Sequence, residues 1–414
     1  MMDKNRIKDV VSDQNALFKN REFYLKREIP GDYLKTKKIF IITGIRRCGK
    51  STLLKQLADN YPNFYYFNFE DERLLEFTSE DFNSLLEVFM EIYGEQKVIF
   101  FDEIQYVAGW EKFVSRLFKE GYKVFITGSS ANLLSRELAT ALTGRHLKTE
   151  LYPFSFKEFL QYSKISYQNI NLTMTRAKIK KQFKLYLEYG GFPEIVISRD
   201  KNELRQLYQD VIIKDLLVRF KIKEDKAFRE LVLYLISNIG TAVSFNNLKK
   251  TLGFKSVTSV QNYLSFLEEA YLVFSLPKYD YSLRKQIIND RKIYGIDPGM
   301  IREVSFRFSE NSGRFLENLV FLELKRRGRE IYYYKDKREC DFLLREGLKI
   351  KSAIQVTQSL SSENRERELG GLLAAVKEYK LHQGLILTFD QAEEIIIDKV
   401  KITLKPVWQW LLED

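Results

Sequence analysis

Gly44-Ile45-Arg46-Arg47-Cys48-Gly49-Lys50-Ser51-Thr52 is the stretch whose residue types and spacing could most plainly do chemistry. It follows the pattern G-x-x-x-x-G-K-S. Glycines let successive backbone N–H groups curl around phosphate oxygens, the lysine reaches toward β- and γ-phosphates, and the hydroxyl after it suits Mg²⁺. Such a loop needs a carboxylate partner. Val98-Ile99-Phe100-Phe101-Asp102-Glu103 offers two: Asp102 to hold Mg²⁺ directly or through water, and Glu103 to polarise an attacking water as general base. A third segment, Tyr122 to Ile126, runs into Thr127-Gly128-Ser129-Ser130. Ser129, or else Thr127, is therefore placed to meet the γ-phosphate or the water. Asn68, after Phe64-Tyr65-Tyr66-Phe67, is either a turn residue or the amide that holds Glu103 inactive without ligand.

These side chains need strands and a helix behind them. Lys38 to Thr43 reads as a short buried strand entering the glycine loop. Ser51 to Asn60 reads as the helix leaving it, with Leu53, Leu54 and Leu57 on its apolar side. The helix N-terminus adds positive potential at the phosphates. The apolar run Val98 to Phe101 suits a strand covered on both faces of a parallel sheet.

With those residues in that order, the chain resembles the AAA+ superfamily. More narrowly, it is similar to the bacterial and archaeal AAA family ATP-binding proteins with G-x-R-R-x-G-K-[ST]. Asn68-Phe69-Glu70-Asp71-Glu72-Arg73, Leu142-Thr143-Gly144-Arg145 and Gly190-Gly191-Phe192-Pro193 fit the same pattern. The resemblance implies ATP and Mg²⁺ as cofactors. It also implies a homo-oligomeric ring or arc with the site between subunits, and an arginine donated by the neighbour: Arg145, or else Arg136. Such a finger typically contributes about 10³–10⁵-fold in rate. No lysine or arginine that senses nucleotide from the lid is identifiable.

The composition bounds the rest. A chain of 414 residues holds two to four domains of ordinary size, and its 45% apolar content supports real cores. Two cysteines, Cys48 and Cys340, cannot make a disulfide framework, and two histidines argue against a histidine-rich zinc site. The polar start and the lack of a long apolar run predict a cytoplasmic protein with no membrane span. A net charge of +11 favours a polyanionic partner, most simply DNA.

The expected fold class is α/β, with residues 37–150 as the AAA+ core after a basic helical arm, 1–36. Residues 151–223 read as a helical lid. Residues 224–305 read as three helices and a β-hairpin, similar to a winged helix. Its third helix begins near Ser256 and carries Val257, Val260, Leu264 and Leu267 on one face. Lys255, Ser259, Gln261, Asn262 and Tyr263 would face DNA, with Ser282, Arg284, Lys285 and Gln286 at the hairpin tip.

Residues 306–414 are similar to a restriction-endonuclease-like fold. The resemblance asks for a helix Glu, an Asp at a strand end and E-x-K on the next strand. Glu317 and Asp341 match; Gln355-Val356-Thr357 replaces E-x-K. A neutral amide is a poor Mg²⁺ ligand, so this domain is expected to bind without cutting. The sequence thus reads as an ATPase that drives or gates binding and remodelling of DNA, possibly structured or branched. The alternative is a nucleotide-dependent switch that assembles with a protein partner; an ATP-dependent nuclease is a third reading.

Overall fold

The computed structural model describes residues 1–19, 25–28, 33–131, 144–305 and 312–413. The chain divides into two compact units, Met1–Leu151 and Tyr152–Asp414.

The first unit is built on five parallel strands: β1 (Ile39–Thr43), β2 (Tyr65–Asn68), β3 (Val98–Asp102), β4 (Lys123–Gly128) and β5 (His146–Glu150). Their order is β2-β3-β4-β1-β5. All five residues of β1 are buried, as a strand covered on both faces requires. On one face Ile39, Ile41, Phe67, Phe101, Val124 and Ile126 meet helices α1 (Lys4–Lys19), α3 (Phe82–Tyr93) and α4 (Trp110–Lys119). On the other, Phe100 stacks on Phe125 at 4.6 Å between ring centroids. Each such ring contributes about 1.5–3 kcal/mol by leaving water.

Register does the positioning. Asn68 lies opposite Asp102, and Thr43 opposite Gly128, so the carboxyl ends of the strands finish level. The end of β4 stands between the loop after β1 and the carboxylates after β3.

Helix α1 is not the expected arm. Ile7, Val10, Val11 and Phe18 form a buried stripe at helical spacing. The Met2 backbone N–H donates to Asp81 at 2.7 Å, and the Gln14 amide donates to the Asn68 carbonyl at 2.9 Å. Gln14 and Asn15 interrupt the apolar stripe, which makes the helix look like a solvated arm in sequence. Both are buried because their amides satisfy the end of β2.

The second unit opens with helices Phe156–Tyr162, Thr173–Tyr189, Pro193–Ser198 and Lys201–Asp210, the last running into a π-helical segment, Val211–Val218. Next come helices Asp225–Ser237, Phe245–Leu252 and Val257–Glu269, with β6 (Ala242–Val243), β7 (Val273–Pro277) and β8 (Arg291–Gly295) in a small antiparallel sheet ordered β6-β8-β7. Ser256 caps the third of these helices by accepting from the Ser259 N–H at 3.0 Å. Two expectations are corrected here. The tip between β7 and β8 is a short helix, Leu283–Ile288, rather than a bare hairpin turn. Tyr263 is not on an open face: its ring packs against Phe228 and Phe254 at 5.2 and 5.6 Å.

A six-stranded sheet completes this unit, ordered β13-β14-β12-β11-β10-β9. It contains β9 (Glu330–Lys335), β10 (Glu339–Glu346), β11 (Lys349–Val356), β12 (Gln383–Thr388), β13 (Glu393–Ile397) and β14 (Val400–Pro406). Helices Ser312–Arg326 and Arg365–Glu378 belong with it. The β13–β14 hairpin has no sequence forecast. Its turn places Asp398 and Lys399 at φ 49° and 69°. A two-residue turn of that kind is normally announced by Asn-Gly, so Asp-Lys hides it. Among the described residues no helix is long and apolar enough to cross a membrane.

Gly190 and Gly191 prove to be more than a turn. Asp297 accepts from the Gly191 N–H at 2.6 Å and the Met300 N–H at 2.9 Å, capping the helix Pro298–Val304. A Cβ on Gly190 would sit 2.0 Å from the Asp297 carboxylate. Burial pushes the Asp297 carboxyl up to about 6, against those backbone donors. The folded state therefore holds a proton that the unfolded chain releases near pH 4, so this group's contribution to stability falls as pH rises from about 4 to about 6. Over that window the loss is on the order of 3 kcal/mol. Asp297→Asn should flatten the pH dependence of chemical denaturation of this unit between those values; an unchanged slope would show that Asp297 does not carry it.

Candidate functional site

The loop between β1 and helix α2 (Lys50–Ala58) is shaped by its glycines and its neighbours. A Cβ on Gly44 would lie 2.2 Å from the Leu151 carbonyl, so no side chain fits there. Gly49 stands at φ 101° immediately before the helix, and Arg47 at φ 61° helps the loop to reverse. Cys48 is fully buried: its Sγ lies 3.3 Å from the Leu151 carbonyl, and its own carbonyl accepts from the Arg27 guanidinium at 2.8 Å. Burial pushes the Cys48 thiol up, so it is a packing group and not a nucleophile. Arg46 turns outward to Glu70 and to the Tyr106 hydroxyl. Ile45 is buried and offers its carbonyl to Lys50 at 3.3 Å. Thr52 follows Ser51 in the first turn of α2.

Lys50 is buried, and its ammonium meets Glu103 Oε1 at 3.0 Å. Burial would lower the lysine's pKa, but the surrounding acidic groups, Glu103 foremost through its charge and hydrogen bond, together outweigh it and hold the ammonium above its usual range. Burial would likewise raise the Glu103 carboxyl; Lys50 and the Gln105 amide outweigh it and hold the group ionised. The other oxygen of Glu103 accepts from the Ser129 N–H at 3.1 Å. Glu103 itself is a non-glycine residue at φ 51°, a left-handed conformation found where a structure holds a side chain against local strain.

Asp102 is fully buried beside it. Its carboxylate accepts from the Thr127 hydroxyl and, at 3.3 Å, from the Tyr66 hydroxyl; Ser51 hydrogen-bonds to it too. Burial and the neighbouring Glu103 charge raise the Asp102 carboxyl above its usual range. A desolvated acid joined to the Ser51 hydroxyl fits a divalent cation, whose charge would relieve both effects. Thr127 thus serves the carboxylates: its hydroxyl also accepts from the Glu103 N–H at 2.9 Å.

The structure gathers Lys50, Ser51, Asp102, Glu103 and Ser129 in this site and leaves other expected residues out. Asn68 does not hold Glu103; its side chain accepts from the Glu70 N–H at 2.9 Å. Gln105 holds Glu103 instead, donating also to Ser129 Oγ at 3.2 Å. Nothing in the sequence marks Gln105 except its place two residues past Glu103. Arg145 is exposed just before β5 and gives its carbonyl to the Ile39 N–H at 2.9 Å. Arg136, Leu142 and Thr143 lie outside the described residues.

In the second unit, Lys255, Gln261, Asn262, Arg284 and Lys285 are exposed. Glu317, Asp341, Gln355 and Thr357 line one cavity of about 1120 Å³, the first two joined through Lys292, a residue that the sequence reading missed. Every residue of β8 after Arg291 is buried, so alternation along the strand could not single out its lysine.

Gly44→Ala should abolish nucleotide binding through its clash with the Leu151 carbonyl. Equilibrium binding of a fluorescent ATP analogue would check this, and affinity within a few-fold of the unsubstituted protein would contradict the geometry.

Residues 36–160 match the family model "AAA domain", and residues 180–311 match a domain of unknown function, DUF8612. "Uncharacterized protein MJ1544" of Methanocaldococcus jannaschii is 37% identical over 100% of this chain and 96% of its own length. An "Uncharacterized protein" of Haemophilus influenzae is 31% identical over 95% of this chain and 98% of its own length. Among solved structures, the Walker-type ATPase paby2304 of Pyrococcus abyssi is 15% identical with a TM-score of 0.41, covering 73% of this chain and 96% of that one. AMPPCP-bound DnaA from Aquifex aeolicus is 14% identical with a TM-score of 0.26, covering 57% and 84%. The full-length identity to the two relatives establishes that the chain belongs to their family, and residues 36–160, which hold the parallel sheet, the glycine loop and the paired carboxylates, form its AAA domain.

Proposed function

We propose that this protein hydrolyses ATP and couples hydrolysis to binding and remodelling of DNA. The observation that carries the hydrolytic half is the buried Lys50–Glu103 pair beside Asp102. The Lys50 ammonium would exchange its carboxylate partner for phosphate oxygens when nucleotide enters. Glu103, released from Lys50 and still bounded by Ser129 N–H and Gln105, would take a proton from the attacking water. General-base assistance of this kind is worth about 10²–10⁴-fold. Ser51 and Asp102 would hold Mg²⁺, which supplies charge neutralisation at the phosphates when bound. Arg145 or Arg136 from a neighbouring copy would complete the site in a ring or arc.

The DNA half is supported by the net charge of +11 and by the exposed Lys255, Gln261, Asn262, Arg284 and Lys285. We read the helices and small sheet of residues 224–305 as a winged helix and residues 151–223 as the lid. We read residues 306–414 as a nuclease-like fold that holds DNA without cutting it. Basic residues that contact phosphate make binding fall steeply with salt.

Steady-state ATPase rates, measured alone and with duplex, single-stranded and four-way-junction DNA, test this proposal. One DNA form should stimulate the rate, Glu103→Gln should lower turnover at least 100-fold, and Lys255→Glu with Arg284→Glu should remove the stimulation. A rate indifferent to every DNA would favour the switch that assembles with a protein partner. No turnover at all would overturn the ATPase reading.

A further inference from the structure

The nuclease-like resemblance implies a divalent cation among Glu317, Asp341 and the residue at 355. The cavity in the second unit does not fit one. Gln355 is a neutral amide and is already committed: its Oε1 accepts from the Asp341 N–H at 3.3 Å, and its Nε2 donates to Glu368 at 2.7 Å. The cation position is also taken by protein. Lys292, 1% exposed, reaches in from β8 and meets Glu317, Glu339 and Asp341 at 2.9, 2.8 and 2.8 Å.

An ammonium has three N–H donors, and here each has its own carboxylate. The lysine is therefore saturated, with no proton left to orient a water. Burial works against its charge, but Asp341 and Glu317 outweigh it and hold the ammonium far above its ordinary range. Separations of 2.8–2.9 Å also keep the carboxylates farther from the centre than the roughly 2.0–2.1 Å that Mg²⁺ demands. Among the described residues, no three carboxylate, histidine or cysteine side chains are arranged to hold a metal ion.

The surrounding contacts fix this arrangement. Tyr294 donates to Glu317 at 2.6 Å, the Val356 N–H donates to Asp341 at 2.9 Å, and Lys335 meets Glu339 at 3.2 Å. Gly240 leaves room for Glu317, whose Oε2 lies 3.0 Å from where a Cβ would be. The cluster holds two lysines, Lys292 and Lys335, against three carboxylates, Glu317, Glu339 and Asp341. Burial and the Asp341 charge push the Glu317 carboxyl up to about 7, against the pull of Lys292 and Tyr294.

We propose that Lys292 is a tethered cation standing where a divalent metal would have to stand, so that this cavity keeps its carboxylates assembled without metal and removal of the lysine creates a divalent-cation site. The proposal concerns the second unit alone and does not depend on the ATPase or DNA readings. Without the lysine, three buried carboxylates would face one another uncompensated, a cost that a divalent cation would relieve.

Mn²⁺ binding to the full chain, followed by electron paramagnetic resonance without nucleotide, tests it. The unsubstituted protein and Asp341→Asn should bind equal Mn²⁺. Lys292→Met should bind one further Mn²⁺ per chain, and Lys292→Met with Asp341→Asn should lose it. Melting in EDTA and in Mn²⁺ gives a second reading: Mn²⁺ should raise the Tm of Lys292→Met and of Lys292→Gln and leave that of the unsubstituted protein in place. Two results would overturn the proposal. One is an Mn²⁺ bound by the unsubstituted protein and lost in Asp341→Asn; the other is Lys292 variants that gain neither Mn²⁺ nor Mn²⁺-dependent stability. Comparison of the unsubstituted protein with Asp341→Asn decides even where a Lys292 variant fails to fold.

Discussion

The ammonium of Lys50 against the carboxylate of Glu103 is the constraint on which the first unit turns. Both groups are buried, and neither tolerates burial alone: an unpaired charge at such depth costs several kcal/mol. The pair holds only if the ends of β1 and β3 are level and the end of β4 lies between them, which the parallel order β3-β4-β1 provides. The aromatic and aliphatic packing on both faces of the sheet fixes those strand ends. Stability and site geometry are thus set by the same residues.

Strand β4 supplies what the pair lacks. Thr127 links the two acidic residues by donating to Asp102 and accepting from the Glu103 N–H, while the Ser129 N–H holds the far oxygen of Glu103. Glu103 is therefore bounded on each side before any ligand arrives. Preorganisation of this kind lowers the reorganisation needed when charge develops. The left-handed backbone at Glu103 is the local strain that accompanies it.

Sequence made the glycine loop and the β3 carboxylates legible because their chemistry demands fixed residue types at fixed spacing. It made β1, β3 and β4 legible because apolar runs bounded by small polar residues suit doubly covered strands. What stayed hidden has specific causes. Helix α1 carries Gln14 and Asn15 in its buried stripe, so its burial rests on hydrogen bonds that hydropathy does not register. The β13–β14 turn uses Asp398 and Lys399 where glycine would advertise it. Gln105 and Lys292 act on partners set by tertiary packing, Lys292 on carboxylates from 25 to 49 residues away. A lone buried lysine on a strand has no local signature. The same blindness placed Tyr263 on an open face when its ring closes an aromatic cluster.

The two units share a device, a buried lysine facing more than one acidic group, with opposite consequences. Among the described residues Lys50 has one ion-pair partner, a single carboxylate that a phosphate could replace. Lys292 has three partners and no donor to spare. The central claim is that nucleotide phosphate replaces Glu103 as the partner of Lys50. Calorimetric titration of a non-hydrolysable ATP analogue into the unsubstituted protein and into Glu103→Gln tests it most directly. The account predicts that Glu103→Gln binds at least as tightly, because Lys50 no longer has to leave a carboxylate. Binding weakened tenfold or more would show that Glu103 supports the nucleotide rather than competing with it, and would contradict the claim.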